Sequence, residues 1–511
     1  MNITTPTFEW LQLAPVLTVL LVACVGVIVE ALVPRAYRFV SQVVLVVLGL
    51  LVAFGLLMVN YADKTIGILA MGAIALDGPT YLMWGALLVF GLLSILVFAE
   101  RRLDNGATAF AASAASVPGS LSEADASAAR HEHTEVFPLA LFSLSGMMIF
   151  ASATDLVTAF VALEVMSLPL YLLSAMARRR RLLSQEAALK YFLLGSLSSA
   201  FFLFGMALVY GYAGSFDFKA IDAAVLNPTY GRGLLLTGMA LMAVGLLFKI
   251  GAVPFHNWVP DVYVGAPTPV TGFMAVGAKA AGFAALLRIF VTALPALSGN
   301  LVPVLWGLAA LTMLVGNLLA ISQTNIKRML AYSSIAHAGY ILMALTAYGK
   351  VPGDAVASAL FYLVTYAVTS FGTWAVVIAL EKAEGKGLEI ADYAGLGRKR
   401  PLLAAAMTIF MLSLTGMPPT LGLVGKFYLF RTAIQGGFIG LAIIGVLTSL
   451  ISAYYYLRVV VTMYMRDGEP ETTREPWLDF TWSLSALATV VLSFLPMALF
   501  AWASGAVLKL F

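Results

Sequence analysis

Cysteine is all but missing: 511 residues hold one, Cys24. A single thiol makes no internal disulfide and falls far short of the roughly four thiolates that hold an iron–sulfur cluster. The chain is therefore expected to carry no electrons itself. Charge is scarce as well, at 11% of residues against about 25% in soluble domains. With a hydrophobic share of 61% and a mean hydropathy of +0.94, a water-soluble enzyme is excluded. Nucleic acid binding finds no support in a formal net charge of +4. Strand-like alternation is too weak for a membrane barrel. The opening MNITTPTFEW lacks the basic region of a cleavable signal peptide, so the first span is expected to stay.

What the chain has instead is a series of apolar runs of roughly 18 to 25 residues, each long enough to cross a bilayer as a helix. They predict an all-α integral membrane protein of about fourteen spans, near 11–33, 39–59, 79–99, 136–153, 155–176, 187–212, 233–264, 268–291, 301–322, 329–348, 354–380, 402–435, 438–465 and 480–508. Loops after odd-numbered spans hold 18 Lys and Arg, including Arg35, Arg38, Arg178 to Arg181, Lys327 and Arg398 to Arg400, whereas the opposite side holds 5. By the positive-inside rule, both termini should face outward. The Ala/Ser/Gly-rich stretch 103–134 has too little apolar bulk to fold alone and reads as a flexible inside loop. Its His131 and His133 fall short of a metal-ligand set, and no metal site is expected.

Seven cations remain inside spans: Lys190, Lys249, Lys279, Arg288, Lys426, Arg431 and Arg458. An unpaired charge at mid-bilayer costs at least ~3 kcal/mol, so function is sought here first. Glu164 lies about 15 Å into span 5 and ~18 Å from Met176, and Lys190 lies roughly 13 Å beyond the Arg178 to Arg181 cluster, at ~1.5 Å per residue. These similar depths predict an ion pair. Lys249 precedes GAVPFHNWVPDVYVGAPTPV, where Pro254 interrupts span 7. Lys279 sits among small residues that leave room for water, ~16 Å from the nearest end of span 8 and too deep to snorkel. Span 12 reads TIFMLSLTGMPPTLGLVGKFYLF, broken at Pro418 and Pro419 ahead of Lys426. The GLVGKF run is no phosphate loop, because Thr420 replaces the first glycine and Phe427 the magnesium-binding hydroxyl. His337 fits either a hydrated proton carrier or a hydrogen-bonded core residue. His256, beside the span 7 break, fits a gate to the inside or an interfacial cap. Arg288, Arg431 and Arg458 are expected to snorkel or to pair with loop acids.

The broken spans 7 and 12 lie five apart, an odd number, so a second copy of a five-span unit must be inverted. The chain then divides into three N-terminal spans (1–99), the inside loop (100–135), a first inverted repeat of spans 4 to 8 (136–291), a second of spans 9 to 13 (301–465), and an inside loop with the last span (466–511). Position for position, His337 roughly answers Glu164, and span 11 offers Tyr362 and Tyr366 but no lysine.

The stretches DLVTAFVALEVMSLPLYLLSA, EAALKYFLLGSLSSAFFLFG, VPFHNWVPDVYVGAPTPVTGF, NIKRMLAYSSIAHAGYIL and DYAGLGRKRPLLAAAMTIFMLSLTGMPPTLGLVGKFYLF resemble, in order and spacing, the antiporter-like proton-pumping membrane subunits of respiratory complex I, the bacterial NADH-quinone oxidoreductase. The resemblance implies roles for matching positions: Glu164 and Lys190 as an ion pair, Lys249 as the central proton-bearing lysine, Lys279 and Lys426 as the onward relay, and His337 as a channel histidine. The lysine in span 12 matches one branch; subunit M would be expected to show Glu there, and subunit L to continue into a long lateral helix. Also implied are a bacterial inner-membrane location, and subunit M and the small subunits nearer the quinone site as partners. NADH, FMN, iron–sulfur clusters and quinone would be bound by other subunits, and no cofactor by this chain. The alternative is a subunit of a cation/proton antiporter, since such proteins resemble the same fold. A structural scaffold whose charges merely hold helices together stays open, to be tested by whether neutral substitutions spare coupled transport, and a quinone-reducing enzyme in its own right is disfavoured for want of a redox-centre ligand set.

A lysine in a poorly solvated site can gain and lose a proton during turnover, whereas an exposed one keeps it. If Lys190 moves between Glu164 and the neighbourhood of Lys249, a unit charge arriving at ~7 Å is worth about 2.4 kcal/mol at an effective dielectric of about 20. That would switch Lys249 between holding and releasing its proton.

Overall fold

The structure, a computed structural model, describes residues 8–101, 107–113, 116–129, 131–178, 180–228, 231–381, 387–472 and 474–506. Twelve helices among them are long and apolar enough to cross a membrane. In chain order these are spans 1 (Trp10–Leu32), 2 (Arg35–Ala62), 3 (Gly78–Phe98), 5 (Leu156–Ser174), 6 (Arg181–Ala213), the first half of 7 (Gly233–Ile250), 8 (Thr268–Ala293), 9 (Pro295–Ile321), 10 (Ile326–Thr346), 11 (Pro352–Leu380), 13 (Ile439–Met465) and 14 (Pro476–Phe494). Two shorter apolar helices, Val136–Ser152 and Pro401–Thr415, supply span 4 and the first half of span 12. Beyond the breaks, span 7 resumes at Trp258–Gly265 and span 12 at Leu421–Gln435. Strand structure among the described residues is limited to one small hairpin, Gly67–Leu69 with Ile74–Leu76, besides isolated bridges.

Spans 8, 10 and 11 are almost wholly buried, and they form the centre of the chain. Small residues set the helix spacing. A Cβ on Gly146 of span 4 would stand 2.4 Å from the Met166 nitrogen of span 5, and one on Gly316 of span 9 would stand 2.6 Å from the Ala336 nitrogen of span 10. Only a bare glycine allows backbones so close.

The two five-span series also repeat in their caps. Asp155 caps span 5 by accepting from the Thr158 nitrogen, and Asn325 caps span 10 by accepting from the Arg328 nitrogen. Each capping residue also sits in a short backbone bridge to the chain after the third helix of its series. The Leu156 nitrogen donates to the Phe216 oxygen and the Phe218 nitrogen to Thr154; correspondingly, the Ile326 nitrogen donates to Leu388 and the Ile390 nitrogen to Thr324. Five crossings separate the two bridges, so they lie at opposite ends of the bundle.

The stretch 103–134, where it is described, is docked rather than free, contrary to the expectation from its composition. Phe110 is fully buried against Phe98, with ring centroids 5.2 Å apart. The Ala111 nitrogen donates to the Met176 oxygen and the Arg178 nitrogen to Ala109. A helix, Leu121–Ala128, is tied down through Glu123, 3.0 Å from the Arg181 Nε. One aromatic side chain and a backbone bridge supply the docking that Ala and Ser could not. Burial pushes the His133 imidazole below its usual pKa even with Glu135 at 3.7 Å, and His131 is exposed. Among the described residues no group of three or more His, Cys, Asp or Glu could hold a metal ion.

Candidate functional site

The first half of span 7 ends at Ile250, where Gly251 adopts a positive φ of 72° and turns the backbone aside ahead of Pro254. Span 12 ends its first half the same way at Thr415, with Gly416 at 89° ahead of Pro418 and Pro419. In both, the glycine begins the break three residues before a proline with a cis peptide bond, Pro254 or Pro419. Glycine takes this left-handed conformation without penalty, and the prolines stop the helix from resuming.

Lys249 occupies the last turn before the first break, 4% exposed. Its Nζ has no hydrogen-bond partner among the described residues and lies 5.6 Å from the Tyr171 ring centroid, 5.5 Å from Tyr191 and 5.9 Å from Phe248. Glu164 Oε1 and the hydroxyls of Tyr171 and Tyr191 are likewise buried without a partner. The charge of Glu164 reaches Lys249.

The expected Glu164–Lys190 pair does not form. Lys190 instead contacts Glu186 at 2.8 Å and Asp261 at 3.0 Å, with its side chain 45% exposed. The reason is helical azimuth. Tyr191 points into the core and stacks on Trp258, so its neighbour, about 100° round the helix, points outward. Depth was legible from residue counting, whereas the facing partner was not.

Lys279 lies in span 8 between two π-helical turns, Met274–Ala278 and Ile289–Ala293. Its Nζ donates to the carbonyl and hydroxyl oxygens of Ser334 in span 10, and it sits 5.7 Å from the Tyr366 ring centroid. The repeat register explains this partner. Asp155 and Asn325, Gly146 and Gly316, and Met166 and Ala336 are each 170 residues apart. The same offset sets Ser334, not His337, opposite Glu164, correcting the rough match made from sequence.

His337, one turn beyond Ser334, is buried with both ring nitrogens engaged: Nδ1 with the Tyr362 hydroxyl at 2.6 Å and Nε2 with that of Tyr456 at 3.2 Å. Charges on Lys279 and Lys426 both reach it. Lys426, 2% exposed, turns back across the second break. Its Nζ donates to the carbonyls of Leu414 at 2.9 Å and Thr415 at 2.8 Å, and to the Ser449 hydroxyl at 2.8 Å. His256 is half-buried in the span 7 break, its Nδ1 without a partner among the described residues.

Arg288 pairs with an acid from the loop before span 3, one of the two outcomes expected for it, whereas Arg458 and Lys327 depart from expectation. Arg288 is buried and grips Asp77 with two contacts of 2.8 Å, adding Thr80 at 3.0 Å and the Ala151 carbonyl at 3.1 Å. Arg458 donates to the carbonyls of Ile321 and Gln323 rather than to an acid. Lys327, counted from sequence among loop charges, is 1% exposed and holds the Ala266 carbonyl at 2.8 Å and Thr268 at 2.9 Å. Ser334, Tyr456 and Ser449 also escaped the sequence reading, since an isolated hydroxyl in an apolar helix gives no periodic signal.

The family model described as NADH:quinone oxidoreductase/Mrp antiporter, TM, matches residues 153–452. NADH-quinone oxidoreductase subunit N 3 of Streptomyces griseus is 47% identical, covering 97% of this chain and 93% of the relative. The subunit N of Rhodococcus opacus is 46% identical, over 96% and 94%. Among solved structures, a chain of respiratory complex I from Thermus thermophilus with bound Aureothin aligns with a TM-score of 0.77 at 34% identity, covering 96% of this chain and 100% of that one. A chain of the Mrp complex from Dietzia aligns with a TM-score of 0.82 at 20% identity, over 97% of each, which shows a shared fold.

Proposed function

Because the chain belongs to the NADH:quinone oxidoreductase/Mrp antiporter transmembrane family, and within it to the subunit N group of NADH-quinone oxidoreductases, we propose that its buried cations relay protons across the bilayer. The chain is a multi-pass membrane-arm subunit of a proton-translocating NADH:quinone oxidoreductase, and its partners are other membrane-arm subunits. In the relay reading, a proton passes through Lys249 and Lys279, by way of His337, to Lys426 and out.

The observation that carries this reading is a row of three buried lysines, Lys249, Lys279 and Lys426, none with a carboxylate in contact among the described residues. An ammonium buried out of contact with any carboxylate is costly, so each of the three calls for a role beyond holding helices together. Waters would bind where Glu164, Tyr171, Tyr191 and Lys249 turn unpartnered polar atoms inward. Lys190, Glu186 and Asp261 form a charged group on the outer surface, too polar to face acyl chains, and a neighbouring subunit would cover it. Asp261 belongs to the second half of span 7, so a change at that surface reaches the broken helix that carries Lys249. Electrons would stay in other subunits, a view supported by the lone cysteine. Both termini would lie on the outer side, supported by the distribution of loop cations.

Glu164→Gln tests the reading in the assembled complex. It removes a carboxylate whose charge reaches Lys249, and the charge moved per NADH oxidised should fall several-fold with quinone reduction still measurable. A ratio equal to wild type would take Glu164 out of the relay.

A further inference from the structure

We propose that the break in span 12 is a built binding site for a small primary ammonium ion, in which the head of Lys426 is a tethered occupant. The inference rests on the relay reading only for what occupancy does, not for whether the site exists.

Lys426 sits as a bound cation does. Its Nζ meets three oxygens, from Leu414, Thr415 and Ser449, at 2.8–2.9 Å. That matches the three protons of an ammonium, donated one to each acceptor. Two acceptors are carbonyls from the last turn of a half-helix, the negative end of its dipole and a place where cations are favoured. The third, Ser449, is itself fixed, because its hydroxyl also lies 2.9 Å from the Thr415 oxygen. The Tyr340 ring face completes the site at 4.8 Å from Nζ to centroid.

The remaining space is shaped for the stem. A Cβ on Gly416 would lie 2.9 Å from the Lys426 Cδ, so the bare glycine leaves the channel along which the side chain runs. No carboxylate contacts the ammonium among the described residues, so cation recognition here uses neutral oxygens and a ring. Lys279 has only the two oxygens of Ser334, and Lys249 has none, so this recognition set belongs to span 12 alone of the three sites. The matched breaks add a reason: Gly251 and Gly416 each stand three residues before a cis proline, and aligning the two breaks on them puts Leu414, whose carbonyl holds the ammonium, opposite Lys249. Where the first repeat carries its own lysine, the second offers an acceptor. Ser449 is half-buried.

Lys426→Ala deletes Cγ, Cδ, Cε and Nζ, the atoms of n-propylammonium. In the purified complex, radiolabelled n-propylammonium should bind that variant saturably, one per complex, and should not bind wild type, where the site is filled. Ser449→Ala added to Lys426→Ala should weaken binding about tenfold, the loss of one charge-assisted hydrogen bond. Should Lys426→Ala fail to assemble, Lys426→Cys poses the same question with less space removed. Absence of saturable binding to an assembled variant overturns the site, as does equal binding to wild type. The charge moved per NADH, read as membrane potential because amines collapse pH gradients, tests the relay separately. Binding with restored charge movement supports both readings; binding with pumping unimpaired before any amine is added keeps the site and removes Lys426 from the relay.

Discussion

Lys249→Met is expected to stop NADH-driven charge movement, with a loss greater than about tenfold, while the complex still assembles. Methionine nearly matches the length of lysine and fills the space among Tyr171, Tyr191 and Phe248 with apolar atoms. The substitution removes a buried ammonium that has no hydrogen-bond partner among the described residues. Burying such a group costs several kcal/mol, so its removal should leave stability unchanged or raise it. A catalytic loss together with retained or improved stability is hard to obtain from a residue that merely holds helices together. The check is membrane potential per NADH oxidised in reconstituted complex, alongside its thermal unfolding midpoint. An unchanged ratio would remove Lys249 from the relay.

Arg288 is expected to behave in the opposite manner, as a stability residue. It is buried and bidentate to Asp77, which caps span 3 through the Thr80 nitrogen at 3.0 Å. Arg288→Ala leaves a carboxylate in the interior without its counter-charge, a change that costs about 3–5 kcal/mol. The yield of assembled complex and its unfolding temperature should both fall. Replacing both partners, Arg288→Met with Asp77→Asn, should recover part of the loss, since no charge is then stranded and the asparagine can still cap the helix. A single variant as stable as wild type would show the pair to be energetically silent.

These two residues also mark where sequence reading succeeds and where it stops. Helix number, the two breaks and the depth of Lys249, Lys279 and Lys426 follow from apolar run length, proline position and the rise per residue. Direction round the helix axis does not, because nearly every position in a membrane helix is apolar and the polar stripe that would orient it is absent. Hence Lys190 reads as a partner of Glu164 but faces Asp261, Arg288 reads only as a choice between snorkelling and a loop acid, which Asp77 decides, and Lys327 reads as a loop charge but is buried. The glycines that begin the breaks, Gly251 and Gly416, were overlooked beside the more conspicuous prolines. The stretch 103–134 reads as flexible because its mean composition conceals Phe110.

The paired bridges carry a mechanical consequence. One series of helices is fastened at one rim, where residues 154–156 meet 216–218, and the other series at the opposite rim, where 324–326 meet 388–390. A sheaf pinned at one end loosens at the other. Local opening is therefore expected at the unpinned rim of each series, and hydrogen exchange should be slowest for the amides of 154–156 and 216–218 in one and of 324–326 and 388–390 in the other.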